Sequence, residues 1–427
     1  MQIHVVTPGQ SVYGIAKAYN TTPDQIISAN ELSTPNQLVV GQALVIPITG
    51  SYYWVQPGDT LTTISRKVGV SVQRIAEVNR ISADAPLNVG TRLYIPPRPK
   101  TNASFNAYIE PRGSKVSTAL ENSARQAAPS LTYLAPFSFE IQRDGALTEP
   151  PLGNLASIAQ QQNVFLMMVI TNLENGAFSE ELGQLFLNNM GVQDTLLNNI
   201  IVLAKQYGFE NIHFDIEHLR AEDRETYISF LQKAHDLFAA EGLSTSVALA
   251  PRTSAQQTSP WLAAHDYAAI GAVVDFVIIM TYEWGYSGGP AQAVSPIGPV
   301  RNVLTYAASV IPPQKIMMGQ NLYGYDWTLP FRPGTTARAI SPQQAIAIAR
   351  ENNAAIQYDE VAQAPFFRYR DSSGRMHEVW FEDARSIQAK FNLLKELNLL
   401  GMAFWKLGLS FPQIWLLIQE NFNVTKL

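Results

Sequence analysis

Residues 212–217, with the sequence IHFDIE, alternate strictly between apolar and ionisable side chains. Side chains alternate across a β-strand, so one face would be apolar and the other would carry His213, Asp215 and Glu217. Three ionisable groups in an ordinary core would be costly, whereas a polar face that opens into a cavity can perform acid–base chemistry. Two carboxylates this close repel each other, which keeps one of them protonated near neutral pH, as a general acid requires. The segment therefore predicts a strand that ends in a catalytic cavity.

The chain around this segment alternates between predicted strands and helices. Apolar residues recur at helical spacing over residues 221–240, Gly242 ends that helix, and residues 244–250 are typical of the next strand. Strand, helix and strand at this spacing form a βαβ unit, which implies a parallel sheet. Eight such strands predict a (β/α)8 TIM barrel of the α/β class, with catalytic groups at the C-terminal ends of the strands. The predicted strands are 105–109, 131–137, 164–170, 212–217, 244–250, 276–281, 316–322 and 402–405.

A long segment between the last two predicted strands exceeds the length of a simple crossover. It runs from residue 325 to residue 385, and its stretches 356–361, 366–370 and 379–381 are β-like. We interpret it as a small α+β insertion at about residues 326–385 that forms one wall of the cleft.

The first hundred residues contain one pattern twice, with matching residues 49 positions apart. The segment VTPGQS at residues 6–11 matches VQPGDT at residues 55–60, Asn30 matches Asn79, and each copy closes on Ile-Pro. Each copy combines a β-like run, a Pro-Gly turn, two amphipathic helical stretches and a final apolar strand. This pattern predicts a duplicated βααβ unit, and a unit of roughly 45 residues is only marginally stable alone.

Both copies resemble the LysM module, whose V-x-P-G-x-[ST] opening, later asparagine and closing strand are all present. The resemblance implies binding of glycans that contain N-acetylglucosamine, as in peptidoglycan and chitin, and two weak sites on one chain raise avidity. The alternative is a repeat that only spaces domains. Residues 96–100 (PPRPK) are typical of a stiff linker. The predicted domains are therefore a first module at 1–48, a second at 51–97 and the barrel with its insertion at 102–427.

The composition narrows the possible partners. A chain of 427 residues, of which 46% are hydrophobic, suits two or three globular domains. The net charge of −5 argues against a nucleic-acid partner, and no apolar run is long enough for a membrane span. The absence of cysteine excludes disulfides and thiolate catalysis, and the first six residues lack the features of a signal peptide. We expect a monomer that uses no cofactor and no metal ion.

The barrel segment resembles the family 18 glycoside hydrolases at the predicted strand that contains residues 212–217. Their signature strand ends D-x-x-D-x-D-x-E, and Asp215 and Glu217 match its last two acidic positions. Glu210 and His213 stand where the family has its first two aspartates. The strand is therefore a relaxed form of the family signature.

Two further motifs of that family occur in the expected order. Its M-x-Y motif on a later strand is matched by Met280-Thr281-Tyr282. The tryptophan that ends its final strand is matched by Trp405. The resemblance therefore spans residues 102–427 and implies the barrel fold independently of the strand pattern.

The resemblance implies a retaining, substrate-assisted mechanism, in which the 2-acetamido oxygen of the sugar attacks its own anomeric carbon. Glu217 would protonate the leaving oxygen and later activate water. Asp215 would orient the acetamido group, and Tyr282 would donate a hydrogen bond to its oxygen. His213 is predicted to hydrogen-bond Asp215 and tune its charge. Substrate contacts are expected from Trp405, as the flat floor of the pocket, and from Met280, Glu283, Trp284 and Tyr108.

Within the family, residues 280–290, 322–327 and 381–386 resemble the spore cortex-lytic enzymes, which combine two LysM modules with this barrel. This implies an N-acetylglucosaminidase that hydrolyses β-1,4 bonds after N-acetylglucosamine in cortex peptidoglycan fragments during germination. Muramic lactam ties its amide into a ring, so cleavage after that sugar is not expected. The resemblance also implies a location at the cortex–coat boundary of the spore, with synthesis in the mother cell and no signal peptide.

Three alternatives stay open. The first is a chitinase of the same mechanism, and the second is a non-catalytic protein that holds glycan through its barrel and modules. The third is a metal site that uses His213, Asp215, Glu217 and His218. His218 would point away from Glu217, however, and no H-E-x-x-H spacing exists.

Overall fold

Eight parallel strands form a closed barrel in the computed structural model, which describes residues 1–257, 259–262 and 264–426. Each strand pairs with the next along the chain, and the eighth pairs with the first, so that no strand edge is left open. This confirms the predicted barrel. The barrel strands, first to eighth, are Thr101–Ile109, Tyr133–Pro136, Phe165–Thr171, Asn211–Asp215, Ser244–Leu249, Phe276–Ile279, Ile316–Asn321 and Gly401–Trp405.

Helices cover the outside of the barrel, and local sequence signals set their ends. Ser117 caps one helix by accepting a hydrogen bond from a backbone N–H of its first turn. Gly208 ends another with φ of 75°, a conformation that costs glycine little. The barrel helices are Thr118–Ala127, Leu155–Gln161, Glu180–Leu187, Met190–Tyr207, Arg224–Ala240, Tyr267–Val273, Ile297–Val310, Ala384–Glu396 and Gln413–Asn421. Among the described helices, none is both long and apolar enough to cross a membrane.

Alternation along the strands sorts side chains into two cores. Phe105, Phe214 and Phe404 point outward and pack between the strands and the helices. Residues such as Met167 and Met317 point inward and fill the barrel. The fourth strand therefore buries its apolar face under the helices and turns its polar face into the barrel, as its sequence predicts.

The insertion between the seventh and eighth barrel strands is an antiparallel sheet with one helix, Pro342–Glu351. An apolar cluster that includes Trp327 and Trp380 packs against Tyr282 and Trp405 of the barrel. The insertion thus stands beside the C-terminal mouth of the barrel as one wall, which confirms the predicted α+β insertion. Its strands, in chain order, are Gly324–Leu329, Arg338–Ile340, Gln357–Asp359, Ala364–Arg370 and Met376–Trp380.

The two N-terminal repeats have the predicted βααβ fold. In each copy one asparagine ties the second helix to the closing strand. Asn30 donates to the carbonyls of Ile26 and Val45 and accepts from the Val45 N–H, and Asn79 makes the same bonds in the second copy. The elements are Gln2–Val5, Val12–Ala18, Pro23–Asn30 and Ala43–Ile46, then Ser51–Trp54, Leu61–Val68, Val72–Asn79 and Arg92–Ile95. The domain boundaries at residues 48, 51, 97 and 102 remain predictions.

The first module packs against both the barrel and its insertion. Gln413 of the last barrel helix donates to the Asn30 side chain at 2.7 Å and to the Ala43 carbonyl at 3.0 Å. The Ile356 N–H of the insertion donates to the Val40 carbonyl at 2.9 Å. These contacts bury the closing strand of the first module within the main core.

The second module packs on the first through aromatic and polar contacts. The rings of Tyr19 and Trp54 meet edge to face with centroids 5.2 Å apart. The Tyr52 N–H donates to the Gln2 side chain at 2.7 Å, and Arg92 donates to the Ala18 carbonyl. The second module is therefore attached to the barrel largely through its neighbour.

Candidate active site

Glu217 lies just beyond the fourth strand, which ends at Asp215 rather than at the predicted residue 217. Asn172, directly after the third strand, accepts from the Glu217 N–H at 3.0 Å and donates to the Glu217 carbonyl at 2.9 Å. His265 accepts from the Ala250 N–H and lies 3.3 Å from the Ile216 carbonyl. These side chains replace the missing strand hydrogen bonds and fix the backbone of the predicted acid.

Buried Asp215 and half-buried Glu217 form a carboxylate pair at the C-terminal end of the fourth strand. Burial and the charge of Glu217 raise the pKa of Asp215 well above its usual range. Burial raises the pKa of Glu217 to about 7, against the opposing effect of a hydrogen bond from Trp261. The pair therefore holds a proton at neutral pH, which is what general acid catalysis requires. The buried Asp215 Oδ1 accepts no hydrogen bond from the described residues, so it is available to a ligand.

Trp261 is a site residue that the sequence patterns did not reveal. Its indole Nε1–H donates to Glu217 Oε2 at 2.6 Å. It comes from the loop after the fifth strand, where no periodic pattern marks it. The available signal was its position, because loops that follow barrel strands supply catalytic residues. The same applies to Asn172, which follows the third strand.

His213 does not hydrogen-bond Asp215, and that prediction is wrong. Its Nε2 lies 2.9 Å from the Tyr108 hydroxyl and its Nδ1 lies 2.8 Å from Ser246 Oγ, so both ring nitrogens are occupied. Complete burial lowers the pKa of His213 to about 3, which keeps the ring neutral. Among the described residues, no group of three His, Asp or Glu side chains is arranged to hold a metal ion.

The Met280-Thr281-Tyr282 motif begins directly after the sixth strand, which ends at Ile279. Burial and the charges of Asp215 and Glu217 raise the pKa of Tyr282 well above its usual range, so its hydroxyl stays protonated and can donate. Met280 packs in a small apolar cluster that Tyr282 and Trp261 cover. The motif therefore supplies the Tyr282 hydroxyl as a hydrogen-bond donor near the carboxylates, and Met280 packs against the Tyr282 ring.

Trp405 ends the eighth strand and is half-buried over the barrel interior. Its ring meets Phe137 edge to face at 4.8 Å and Tyr108 at 5.5 Å. Tyr108 lies beneath it and is only 5% exposed, so it offers almost no surface to a substrate. Its hydroxyl contacts His213 inside the barrel instead. Trp405 thus occupies the position expected of the floor of the pocket.

The predicted substrate contacts Glu283 and Trp284, and the motif residue Glu210, make contacts away from the carboxylates. Glu283 accepts hydrogen bonds from the Tyr323 and Tyr325 hydroxyls, which attach it to the insertion. Trp284 packs against the core between strands and helices. Glu210, the family's first acidic position, accepts from the Leu166 N–H at 2.8 Å at the opposite end of the barrel. These three residues hold structure together around the mouth and base of the barrel.

The architecture and the site define the class of protein. Residues 112–409 match the family described as Glycosyl hydrolases family 18, and residues 4–47 and 53–96 match the LysM domain. The family match covers more than half of the chain and includes the whole carboxylate strand. The chain therefore belongs to the family 18 glycoside hydrolases and carries two LysM domains, as the sequence motifs indicated.

Two similar proteins match the full length of the chain. The cortical fragment-lytic enzyme of Bacillus subtilis (strain 168) is 60% identical over 427 residues, covering 100% of this chain and 99% of that protein. The crystal structure of the spore cortex-lytic enzyme SleL from Bacillus megaterium QM B1551 is 58% identical, covers 100% of this chain and 99% of that chain, and has a TM-score of 0.92. A chitinase from Chromobacterium violaceum ATCC 12472, 24% identical over 75% of this chain and 98% of that chain, has a TM-score of 0.68 and shows the shared fold alone.

Proposed function

We propose that this family 18 enzyme is a retaining N-acetylglucosaminidase that hydrolyses β-1,4 bonds after N-acetylglucosamine in spore cortex peptidoglycan fragments during germination. The full-length relatives support the cortex as the substrate, since both are named for lysis of cortex or its fragments. The observation that carries the chemistry is the placement of Asp215 and Glu217 together at the C-terminal end of the fourth strand, with Asp215 Oδ1 free of protein donors among the described residues. Burial raises the pKa of Glu217 to about 7, which suits a general acid.

The reaction follows from the groups at the mouth of the barrel. The acetamido oxygen of the bound sugar attacks the anomeric carbon while the bond to the leaving oxygen breaks and Glu217 delivers its proton to that oxygen. Asp215 orients the acetamido N–H and balances the positive oxazolinium ion that forms. Tyr282 donates to the acetamido oxygen. Glu217, now ionised, takes a proton from water, which attacks the same carbon and restores the starting configuration.

The mechanism selects the sugar and assigns a role to the modules. A free acetamido group is needed on the non-reducing side of the cleaved bond, so N-acetylglucosamine is accepted there and muramic lactam is not. The LysM domains bind the same glycan and raise its local concentration. We further propose that the enzyme is a monomer that is made in the mother cell and acts at the cortex–coat boundary of the spore.

The decisive experiment uses purified cortex fragments, borohydride reduction of the products and mass spectrometry. New N-acetylglucosaminitol ends should form with the wild-type chain and not with Glu217→Gln, because loss of a general acid lowers turnover by about 10²- to 10⁴-fold. Glu222→Gln is the matched control, since Glu222 is exposed in the loop that follows and should keep its turnover. Muramitol ends would contradict the bond specificity, and full activity of Glu217→Gln would contradict the assigned acid. Chitin oligomers cleaved in place of cortex would indicate a chitinase.

The pH dependence tests the state of Glu217. Its acid form is required, so kcat/KM should fall as the pH rises through about 7, the raised pKa of this group. Trp261→Phe removes the hydrogen bond that lowers this pKa, so the alkaline limb should move to higher pH. A limb that stays in place or moves to lower pH would show that Trp261 does not act on the acid.

A further inference from the structure

A continuous line of hydrogen bonds runs down the inside of the barrel beneath the carboxylates. It begins at the Tyr108 hydroxyl and passes through both ring nitrogens of His213 to Ser246 Oγ. Ser246 Oγ lies 2.8 Å from Asn211 Oδ1, and Asn211 Nδ2 lies 2.9 Å from Ser244 Oγ. The line ends at the backbone carbonyl of Glu210, 3.2 Å from Ser244 Oγ.

Strand register explains how these residues meet. Asn211 pairs with Ser244, and His213 pairs with Ser246, on the adjacent fourth and fifth strands. Each pair projects into the barrel, where Asn211, His213 and Ser246 are completely buried. Water therefore cannot supply alternative partners to these three residues, and their hydrogen bonds must come from within the line.

The donor and acceptor roles in the structure run in one direction along the line. A carbonyl only accepts, so the Ser244 hydroxyl donates to Glu210 and must accept from the Asn211 amide nitrogen. The Asn211 amide oxygen then accepts from the Ser246 hydroxyl. Since a hydroxyl donates once, Ser246 Oγ must accept from His213. If the Asn211 amide were turned around, the single Ser244 hydroxyl proton would face two acceptors, Asn211 Oδ1 and the Glu210 carbonyl, and could serve only one of them.

We propose that Ser246, Asn211 and Ser244 form an oriented relay that holds neutral His213 with its proton on Nδ1 and thereby turns the Tyr108 hydroxyl proton onto Nε2. His213 Nε2 then carries no proton and accepts the hydrogen bond of Tyr108. The three relay residues touch no substrate and act as positioning residues.

The orientation of Tyr108 matters to the carboxylates above it. The charge of Asp215 helps to raise the pKa of Tyr108, which places the two groups within electrostatic reach. If the Tyr108 hydroxyl donates to His213, it cannot also donate to Asp215. The buried Oδ1 of Asp215 has no donor among the described residues. Asp215 therefore stays free to bond the sugar. This consequence for turnover rests on the proposed function, whereas the state of His213 does not.

The proton position on His213 can be measured without substrate. In the full-length chain with ¹⁵N-labelled histidine, two-bond ¹H–¹⁵N correlation spectra distinguish Nδ1–H, Nε2–H and the charged ring. The signals of His213 are identified among the six histidines by their loss in His213→Gln. We expect neutral His213 protonated at Nδ1 at neutral pH. An Nε2–H ring or a charged ring would overturn the relay, whether or not the enzyme cleaves cortex fragments.

Ser246→Ala removes the acceptor of His213, and Thr245→Val is its matched control. Thr245 is the next residue on the same strand and is equally buried, and its hydroxyl has no hydrogen-bond partner among the described residues. We expect Ser246→Ala to lose the pure Nδ1–H form and to lower kcat about tenfold with KM unchanged, as for one lost buried hydrogen bond. Thr245→Val should change neither. Ser246→Ala with the native tautomer, or with native kcat despite a changed tautomer, would overturn the positioning role.

Discussion

The two LysM domains have the same fold but differ in what their equivalent turns contact. Gly41 and Gly90 occupy equivalent turns with φ of 83° and 84°. A Cβ atom added at Gly41 would lie 1.8 Å from the backbone oxygen of Ile356, whereas one added at Gly90 would meet nothing within 4 Å. The same turn is therefore an interface with the insertion in the first copy and free surface in the second. Of the two matching turns, only the second is open to a ligand.

The difference shows that a sequence repeat specifies a fold without specifying what the fold contacts. Asn30 and Asn79 make the same internal hydrogen bonds, yet Asn30 also accepts from Gln413 of the barrel. Nothing within the repeat distinguishes the two asparagines, because the distinguishing partner lies 383 positions away. Paired substitutions at equivalent positions can therefore measure the docking of the first module with the second as an internal reference.

The largest difference is expected between Gly41→Ala and Gly90→Ala. Both place a side chain at positive φ, which costs about 1–2 kcal/mol in either copy. Only Gly41→Ala also forces the turn away from Ile356, and such overpacking costs about 1–3 kcal/mol more. Urea unfolding of the full chain should show this excess loss of stability. Equal losses in the two variants would mean that the first module is not docked in solution.

A smaller difference is expected between Asn30→Ala and Asn79→Ala. Each variant loses the same bonds within its module, but Asn30→Ala also deprives the buried Gln413 amide of one of its two acceptors. The excess loss of unfolding free energy should be about 1 kcal/mol. Adding Gln413→Ala to both variants should remove this excess. An excess that survives in the double variants would assign it to the module itself.

The smallest difference is expected between Glu31→Ala and Arg80→Ala. Both residues follow the second helix of their module in the left-handed conformation, with φ of 45° and 56°. Glu31 accepts from Gln126 and Ser410 of the barrel, in exposed hydrogen bonds. Their removal should change thermal stability by no more than about 0.5 kcal/mol relative to Arg80→Ala. A larger effect would place Glu31 among the main docking contacts.

Local patterns predicted the fold because each barrel strand carries its own apolar signal. They extended the fourth strand to Glu217 and the sixth strand to Thr281, two residues too far in each case. The alternation of the fourth strand and the apolar run of the sixth both continue after the sheet pairing has ended. Pairing stops where the neighbouring strands stop, and a single segment does not contain that information. The partners of His213 were missed for a related reason, since Tyr108 lies 105 positions away and Ser246 lies 33 positions away.

Docking of the first module also sets an order on folding. Asn30 and Ala43 meet Gln413 across 383 and 370 positions of the chain, and Val40 meets Ile356 of the insertion. Contacts of such high sequence separation form late, because the loop between them must be closed first. During synthesis the first module emerges well before any of its docking partners. The face of its closing strand that carries Ala43 and Val45 therefore stays exposed until nearly the whole barrel has been made. The helix that contains Gln413 is therefore expected to be the last element to pack against the first module. A slow folding step, if present, should be sensitive to substitutions in this helix.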